Sequence, residues 1–279
     1  RNSIMVSRNT VAVIFLISSF TLFAQQKFSK AIEDNSFLIE EAYNQEERVI
    51  QHISNALYFQ DPQHDVAYSF TQEWPVGGQS NQLSFTIPYA FLNSNSVNGV
   101  GDIMINYRYQ LFTSNDWAAA APRISLILPS GNVKKNLGFG TTGVQVNLPV
   151  SKRISNFFVA HFNIGFTFLP AAQTSNTIGN FNEDKHKLTW YNFGGSVIWL
   201  AGEKFNLMLE YLMNIASEID EFGSVNNFTE KVLSPGIRYA IDIGELQIVP
   251  GLGFPFSFSS RQAGTRVGMI FYLSFEHPF

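Results

Sequence analysis

Residues 100–112 read Val-Gly-Asp-Ile-Met-Ile-Asn-Tyr-Arg-Tyr-Gln-Leu-Phe, and this stretch decides the fold. Ile103, Ile105, Tyr107, Tyr109 and Leu111 fall on every second position, opposed by Asp102, Asn106, Arg108 and Gln110. A period of two is a β-strand with one apolar and one wet face, because successive side chains of a strand point to opposite sides. The run is longer than the roughly five or six residues usual in soluble sheets and suits the roughly 9–11 that a tilted strand needs to cross a bilayer.

The same pattern recurs on both sides of it. Leu83, Phe85, Ile87, Tyr89 and Phe91 oppose Gln82, Ser84 and Thr86, and Phe205, Leu207, Leu209, Tyr211 and Met213 oppose Asn206, Glu210 and Asn214. Twelve such runs are expected, at 48–59, 65–75, 81–92, 100–112, 117–129, 140–151, 157–169, 187–200, 204–216, 229–242, 245–258 and 266–276. The first alternates poorly. Connections 113–116, 151–156, 201–203 and 243–244 are tight, whereas 130–139, 170–186 and 217–228 are long and polar. Short turns on one side and long loops on the other are the arrangement of bacterial membrane barrels. The expected fold is therefore all-β: a transmembrane, up-and-down antiparallel β-barrel of about 12 strands, with both termini periplasmic. A soluble β-sandwich would alternate too, but with the opposite face buried. Pro88, Pro122, Pro149, Pro235, Pro250 and Pro255 inside runs predict bulges or breaks.

Composition narrows the alternatives. Charged residues make up 14% of the chain, against roughly 25% in ordinary soluble domains, and aromatics 15%. Past the N-terminus no stretch offers the roughly 18 consecutive apolar residues of a membrane helix, so any crossing must use strands. A net charge of -4 without basic blocks excludes a nucleic-acid partner, and zero cysteines exclude a disulfide scaffold. Arg1 and Arg8, the apolar run from Val11 to Phe23, and Ala24 have the layout of a secretory signal peptide over residues 1–24. Residues 25–47 carry Glu33, Asp34, Glu40, Glu41, Glu46 and Glu47. They read as a periplasmic leader or as a small plug with Phe37 to Ile39 as its apolar contact, ahead of a barrel over 48–279.

Charges are costly on a lipid face and ordinary in a barrel interior. The inward positions include Arg108, Arg123, His161, Glu210 and Arg238. Arg108 and Arg123 fall at equal depth on neighbouring strands, and Glu210 is expected beside Arg238. Two readings stand: a mutually paired polar filling, or an arginine constriction that binds anions or docks a carboxylate of the leader. His161, next to Asn163, reads as a satisfied interior histidine. Trp74 and Trp199 sit on outward positions beside short turns, where aromatic anchors belong at the membrane interface. Phe271, Leu273, Phe275 and Phe279 form an apolar outward row ending the chain, the expected signal for a barrel-assembly machinery. No Ser/His constellation, metal-ligand spacing or phosphate-binding glycine loop stands out, so no enzyme activity, metal or cofactor is expected.

Two stretches carry a family likeness. Gly99 to Ile103 with Tyr107-Arg108-Tyr109, followed by Arg123 to Gly131 and by Gly138-Phe139-Gly140, resembles the outer-membrane family named for the meta-cleavage pathway of phenol degradation. Phe37 to Glu46 with Gln51-His52-Ile53 looks like the start of its Bacteroidetes-type members. The resemblance implies an outer-membrane barrel for passive uptake or efflux of small molecules, hydrophobic or aromatic ones among them. A structural or adhesive barrel without an open pore is the alternative, and an outer-membrane lipase the more distant one.

Overall fold

The structure, a computed structural model, describes residues 36–59, 64–92, 96–175, 181–220, 222–261 and 263–279. The expected signal peptide and residues 25–35 of the leader lie outside these.

Twelve antiparallel strands form one closed wall. They are β1 (Val49–Phe59), β2 (Asp65–Pro75), β3 (Asn81–Leu92), β4 (Val97–Val100, then Met104–Tyr109) and β5 (Ala119–Ala120, then Arg123–Ile127). There follow β6 (Gly143–Arg153), β7 (Phe158–Ser175), β8 (Phe181–Trp199), β9 (Phe205–Ile219) and β10 (Val225–Tyr239). Last come β11 (Leu246–Gly253, then Phe256–Ser259) and β12 (Thr265–Pro278). Each strand pairs with its sequence neighbour, and β1 closes the wall against β12 from Val49 opposite Pro278 to Phe59 opposite Gly268. The poorly alternating first run is thus a full strand: closure supplies it with hydrogen-bond partners on both edges.

The burial pattern excludes the sandwich. Leu209 is 51% exposed while its neighbour Glu210 is fully buried, and Ile105, Ile124, Phe162 and Phe271 are exposed while Asn106, Ser125, Asn163 and Ser274 are buried. A chain that turns its apolar row outward and its polar row inward is folded for a lipid surround. The molecule is a transmembrane β-barrel.

The prolines account for the irregularities. Pro122 splits β5 and Pro255 splits β11, since neither can donate to the ladder. Opposite Pro88 the register slips by one residue, between Thr86–Met104 and Tyr89–Val100, and Gly101 N–H reaches the Pro88 carbonyl at 2.8 Å. Asp102, expected on the lumen wall of a regular strand, falls in this gap. Its carboxylate accepts the N–H groups of Gly131 and Phe139, both at 2.8 Å, and so pins the loop that carries the family-like Pro-Ser-Gly and Gly-Phe-Gly motifs.

Three expectations are corrected. Strand β5 begins at Ala119, and Trp117 lies in the preceding turn, 82% exposed with Lys152 Nζ 3.6 Å from its ring centre. The long loop expected over 170–186 is mostly hairpin, because bulges around His186 absorb the Pro170 irregularity and let β7 and β8 run on. The loop expected over 217–228 shrinks similarly, its turn held by the Asp220 carboxylate accepting from Phe222 and Ser224 N–H.

Replacing Leu209 by arginine should cost about 2–4 kcal/mol of folding free energy, as charges do on a barrel's lipid face. Urea unfolding in lipid vesicles measures this, and the isosteric Leu209→Met should stay within about 1 kcal/mol of the parent.

Candidate functional site

The barrel interior is organised in rungs of directly opposed residues. One rung runs Gln82, Arg108, Arg123, Asn147, Gly165, Asn192, Asn214, Glu230 and Ser259, across nine strands from β3 to β11. It is basic at one end, neutral amide in the middle and acidic at the other. A second rung, four residues nearer the short turns, runs Ser151, His161, Ser196, Glu210 and Ser234.

The segment 36–48 crosses the lumen along this second rung. The chain reverses at Glu46 to Arg48, where Val49 N–H donates to the Glu46 carbonyl and Arg48 adopts a φ of 62°. From there the segment, traced back toward Ser36, has its peptide groups met by wall side chains. Gln45 N–H donates to Gln82 Oε1 (2.7 Å), Asn44 N–H to Gln110 Oε1 (2.9 Å), and Ala42 N–H to Ser151 Oγ (2.7 Å). Asn163 takes both groups of Glu40, accepting its N–H at 2.8 Å and donating to its carbonyl at 2.6 Å. Glu210 Oε1 accepts from both Leu38 (2.8 Å) and Ile39 (3.1 Å), and the hydroxyls of Ser36 and Ser196 meet at 2.6 Å. A buried peptide without such partners would lose the free energy of its hydration.

The apolar side chains of the segment sit where the wall has no side chain. A Cβ at Gly236, Gly251 or Gly253 would come within 2.6, 2.6 or 2.9 Å of the Phe37 ring. A Cβ at Gly194 would collide with Ile39. Phe37 also packs on Tyr272, with ring centres 5.2 Å apart. Around it Val159, Ile198, Leu200, Met208, Ala240, Val249 and Ile270 form a dry cluster filling the short-turn end of the barrel.

Arg108 and Arg123 are directly opposed, as expected, and both are engaged. Arg123 Nε is 3.0 Å from the Glu40 carboxylate, and its other nitrogens donate to Asn106, Ser125 and Gln145. Arg108 donates to Glu40 (3.3 Å), to the carbonyls of Glu41 (3.2 Å) and Tyr43 (2.6 Å), and to Asn44 and Gln82. Burial pushes both leader carboxyls up. At Glu40 the guanidinium groups of Arg123 and Arg108 and the Asn147 amide outweigh this and hold it below the usual carboxylate range, whereas Glu41, with Glu40 beside it, stays above.

Glu210 and Arg238 are not level, contrary to expectation. Glu210 opposes Ser234 and Arg238 opposes Asn206, an offset of four residues, or about 13 Å at the rise of an extended strand. Arg238 is buried nearer the short turns, and its side-chain stem lies against Gly251. His161 Nδ1 lies 2.6 Å from Ser151 Oγ, a Ser–His contact that sequence spacing did not reveal; Ala42 of the segment covers it and Tyr43 packs edge-on at 6.3 Å. Trp74 and Trp199 occupy outward positions at the short-turn ends of β2 and β8. Phe271 and Leu273 are exposed on the outward row of β12, Phe275 lies opposite His52, and Phe279 N–H donates to the Arg48 carbonyl. Asn163, Ser151, Ser196 and Gln82 were not singled out from sequence. The available signal was glycine on inward strand positions, which marks close approach by another chain segment.

Above the segment the lumen opens into a cavity of about 400 Å³, lined by Leu38, Glu40, Arg123, Asn192, Asn214 and Glu230 among others. A second, of about 280 Å³, adjoins it at Trp190 and Phe228 toward the long loops.

No family model and no curated protein matches the chain. Solved structures do. An outer membrane channel from Pseudomonas putida F1 superposes with a TM-score of 0.60 at 9% identity, over 85% of this chain and 98% of that one. The NanC porin superposes with a TM-score of 0.50 at 9% identity, over 82% of this chain and 100% of its own. At such identity the likeness is one of fold.

Two outcomes test the seating of the segment. Gly251→Val should expel the Phe37 ring and speed hydrogen exchange at the Leu38 and Ile39 amides tenfold or more, with the β5–β7 amides unchanged. Glu40→Gln should cost about 3–5 kcal/mol in urea unfolding, as expected for stripping a buried charge of its partner, because Arg123 is left facing Arg108 without the carboxylate between them.

Proposed function

We propose that this protein is an outer-membrane channel for passive movement of small molecules, shut at its short-turn side by segment 36–48 until that segment is displaced. The observation that carries this reading is the way the segment is held. Its hydrogen bonds go to side chains of the wall rather than into a sheet, so water can replace them one by one if it leaves. The cavity above the segment gives a solute somewhere to wait. Twelve strands enclose a lumen between the filled eight-stranded barrels and the water-filled porins, wide enough that one extended segment decides passage.

For solute class, the family resemblance implies small hydrophobic or aromatic compounds. The inward rung Ile270, Leu57, Ala67 and Ala90, on the wall formed by β12 and β1–β3, supports an apolar side to the path. In this reading Trp74 and Trp199 anchor the barrel at the membrane interface, and the row Phe271, Leu273, Phe275 and Phe279 presents it to an assembly machinery. A structural barrel without a pore is the second reading, favoured by the dry cluster around Phe37.

Deleting residues 25–47 should raise single-channel conductance in planar bilayers several-fold. Unchanged conductance would sink the gate and leave the structural reading. The chain contains no cysteine, so Ser36→Cys with Ser196→Cys introduces a single disulfide across the hydroxyl contact. The oxidised form should stay closed, and reductant should restore the parent's openings.

A further inference from the structure

The carboxamides at the middle of the long rung are placed to bind something. Asn192 and Asn214 directly oppose each other on β8 and β9, line the larger cavity, and make no side-chain hydrogen bond among the described residues. Beside them Asn147, buried and on the same rung, spends its amide N–H on Glu40 while its Oδ1 has no partner. Gly165 stands between Asn147 and Asn192; a Cβ there would strike the Asn192 amide and come within 2.9 Å of Asn147 Oδ1. The glycine therefore makes room for the Asn192 and Asn147 carboxamides to lie side by side, with Asn214 next to Asn192 on the cavity wall. At its edge stands Trp190, whose indole N–H is fixed on the Ser217 carbonyl at 2.9 Å and whose ring packs edge-on with Phe139.

Charge selects the ligand. Arg123 is committed to Glu40, Gln145 and Asn106, so among the described residues lining the cavity no free cation greets an anion, and Glu230 on the cavity wall repels one. An apolar molecule pressed against Asn192 and Asn214 would strip their water and return no hydrogen bond. A neutral hydroxyl both donates and accepts, as a carboxamide does. A site built of such groups rejects analogues that lack the hydroxyl. We propose that this wall of the cavity binds a neutral ring carrying several hydroxyl groups, a saccharide unit, with its hydroxyls on Asn192 and Asn214 and its apolar face toward Trp190. This rests on the channel reading above but departs from the hydrophobic or aromatic class that the family resemblance implies, and binding is measurable without transport.

The test is saturation-transfer NMR on the full chain in detergent micelles, titrating glucose and maltose against glucuronate and phenol. Saturable signals are expected for the two neutral sugars, with glucuronate and phenol at least tenfold weaker. Asn192→Leu and Asn214→Leu should each weaken sugar binding on the order of tenfold, and Asn192→Gln should restore part of it. Heat-dependent gel mobility establishes that each variant is a folded barrel; the outward Val197→Leu is the control that should change nothing. Equal binding of phenol or glucuronate, sugar binding unaffected by both leucine variants, or no sugar binding would overturn the inference. Liposome swelling by the 25–47 deletion separates the two proposals. Swelling without sugar binding leaves the channel and removes the saccharide site; sugar binding without swelling for any solute removes the channel and leaves the site.

Discussion

Inside a bilayer there is no water to satisfy a peptide group, so a sheet that crosses it can have no free edge. The pairing of β1 with β12 is what meets this constraint here, and the remainder of the architecture follows from it. Closure places the start of β1 and the end of β12 together on the rim beside the short turns. It forces the two faces of every strand to live in different solvents, lipid outside and a confined polar space within. That is why Leu209 and Glu210, adjacent in sequence, have opposite burial.

Closing the wall creates a second problem, since a polar lumen must be either filled with water or satisfied by something else. This chain uses its own leader. The wall residues that receive it come from around the barrel, from Asn55 on β1 and Gln82 on β3 through Asn163, Ser196 and Glu210 to Tyr272 on β12, so most are far from the leader in sequence. The charged part of the contact is two acids of the leader against two opposed arginines, with Glu40 reaching both and Glu41 reaching Arg108. Two guanidinium groups held face to face in the wall repel each other unless a carboxylate lies between them, and Glu40 takes that place. The arginines are thus a docking point for the leader and have little left to offer a passing anion.

Much of the site was legible in the strand parity. Arg108, Arg123, His161, Glu210 and Arg238 were all recognised as inward-facing from alternation alone, and the equal depth of Arg108 and Arg123 followed from counting back to a turn. Glu210 and Arg238 failed the same count because their short turns are not level: Tyr239 already stands opposite Phe205 at the start of β9, and residues 241–243 run on past it to the turn at 243–244. The Ser151–His161 contact was invisible because those residues sit on different strands and meet only through the register of β6 on β7. Likewise the inward glycines at 194, 236, 251 and 253 looked like gaps in the pattern, and only the presence of Phe37 and Ile39 over them gives the gaps a purpose.

The sequence by itself determined the all-β class, the twelve strands, the lipid-facing row and the polar row, because side-chain alternation is a local property that survives ignorance of partners. Its prolines marked the breaks at Pro88, Pro122 and Pro255, but Pro149, Pro235 and Pro250 stand in ladders that run on unbroken. Tertiary structure decided which inward residues share a rung, how the barrel tapers to a dry cluster at one rim, and that a segment of acidic, unpatterned sequence lies within the lumen. Those outcomes depend on the stagger between strands and on shape matching between a ring and three glycines. Neither quantity is carried by any single stretch of chain.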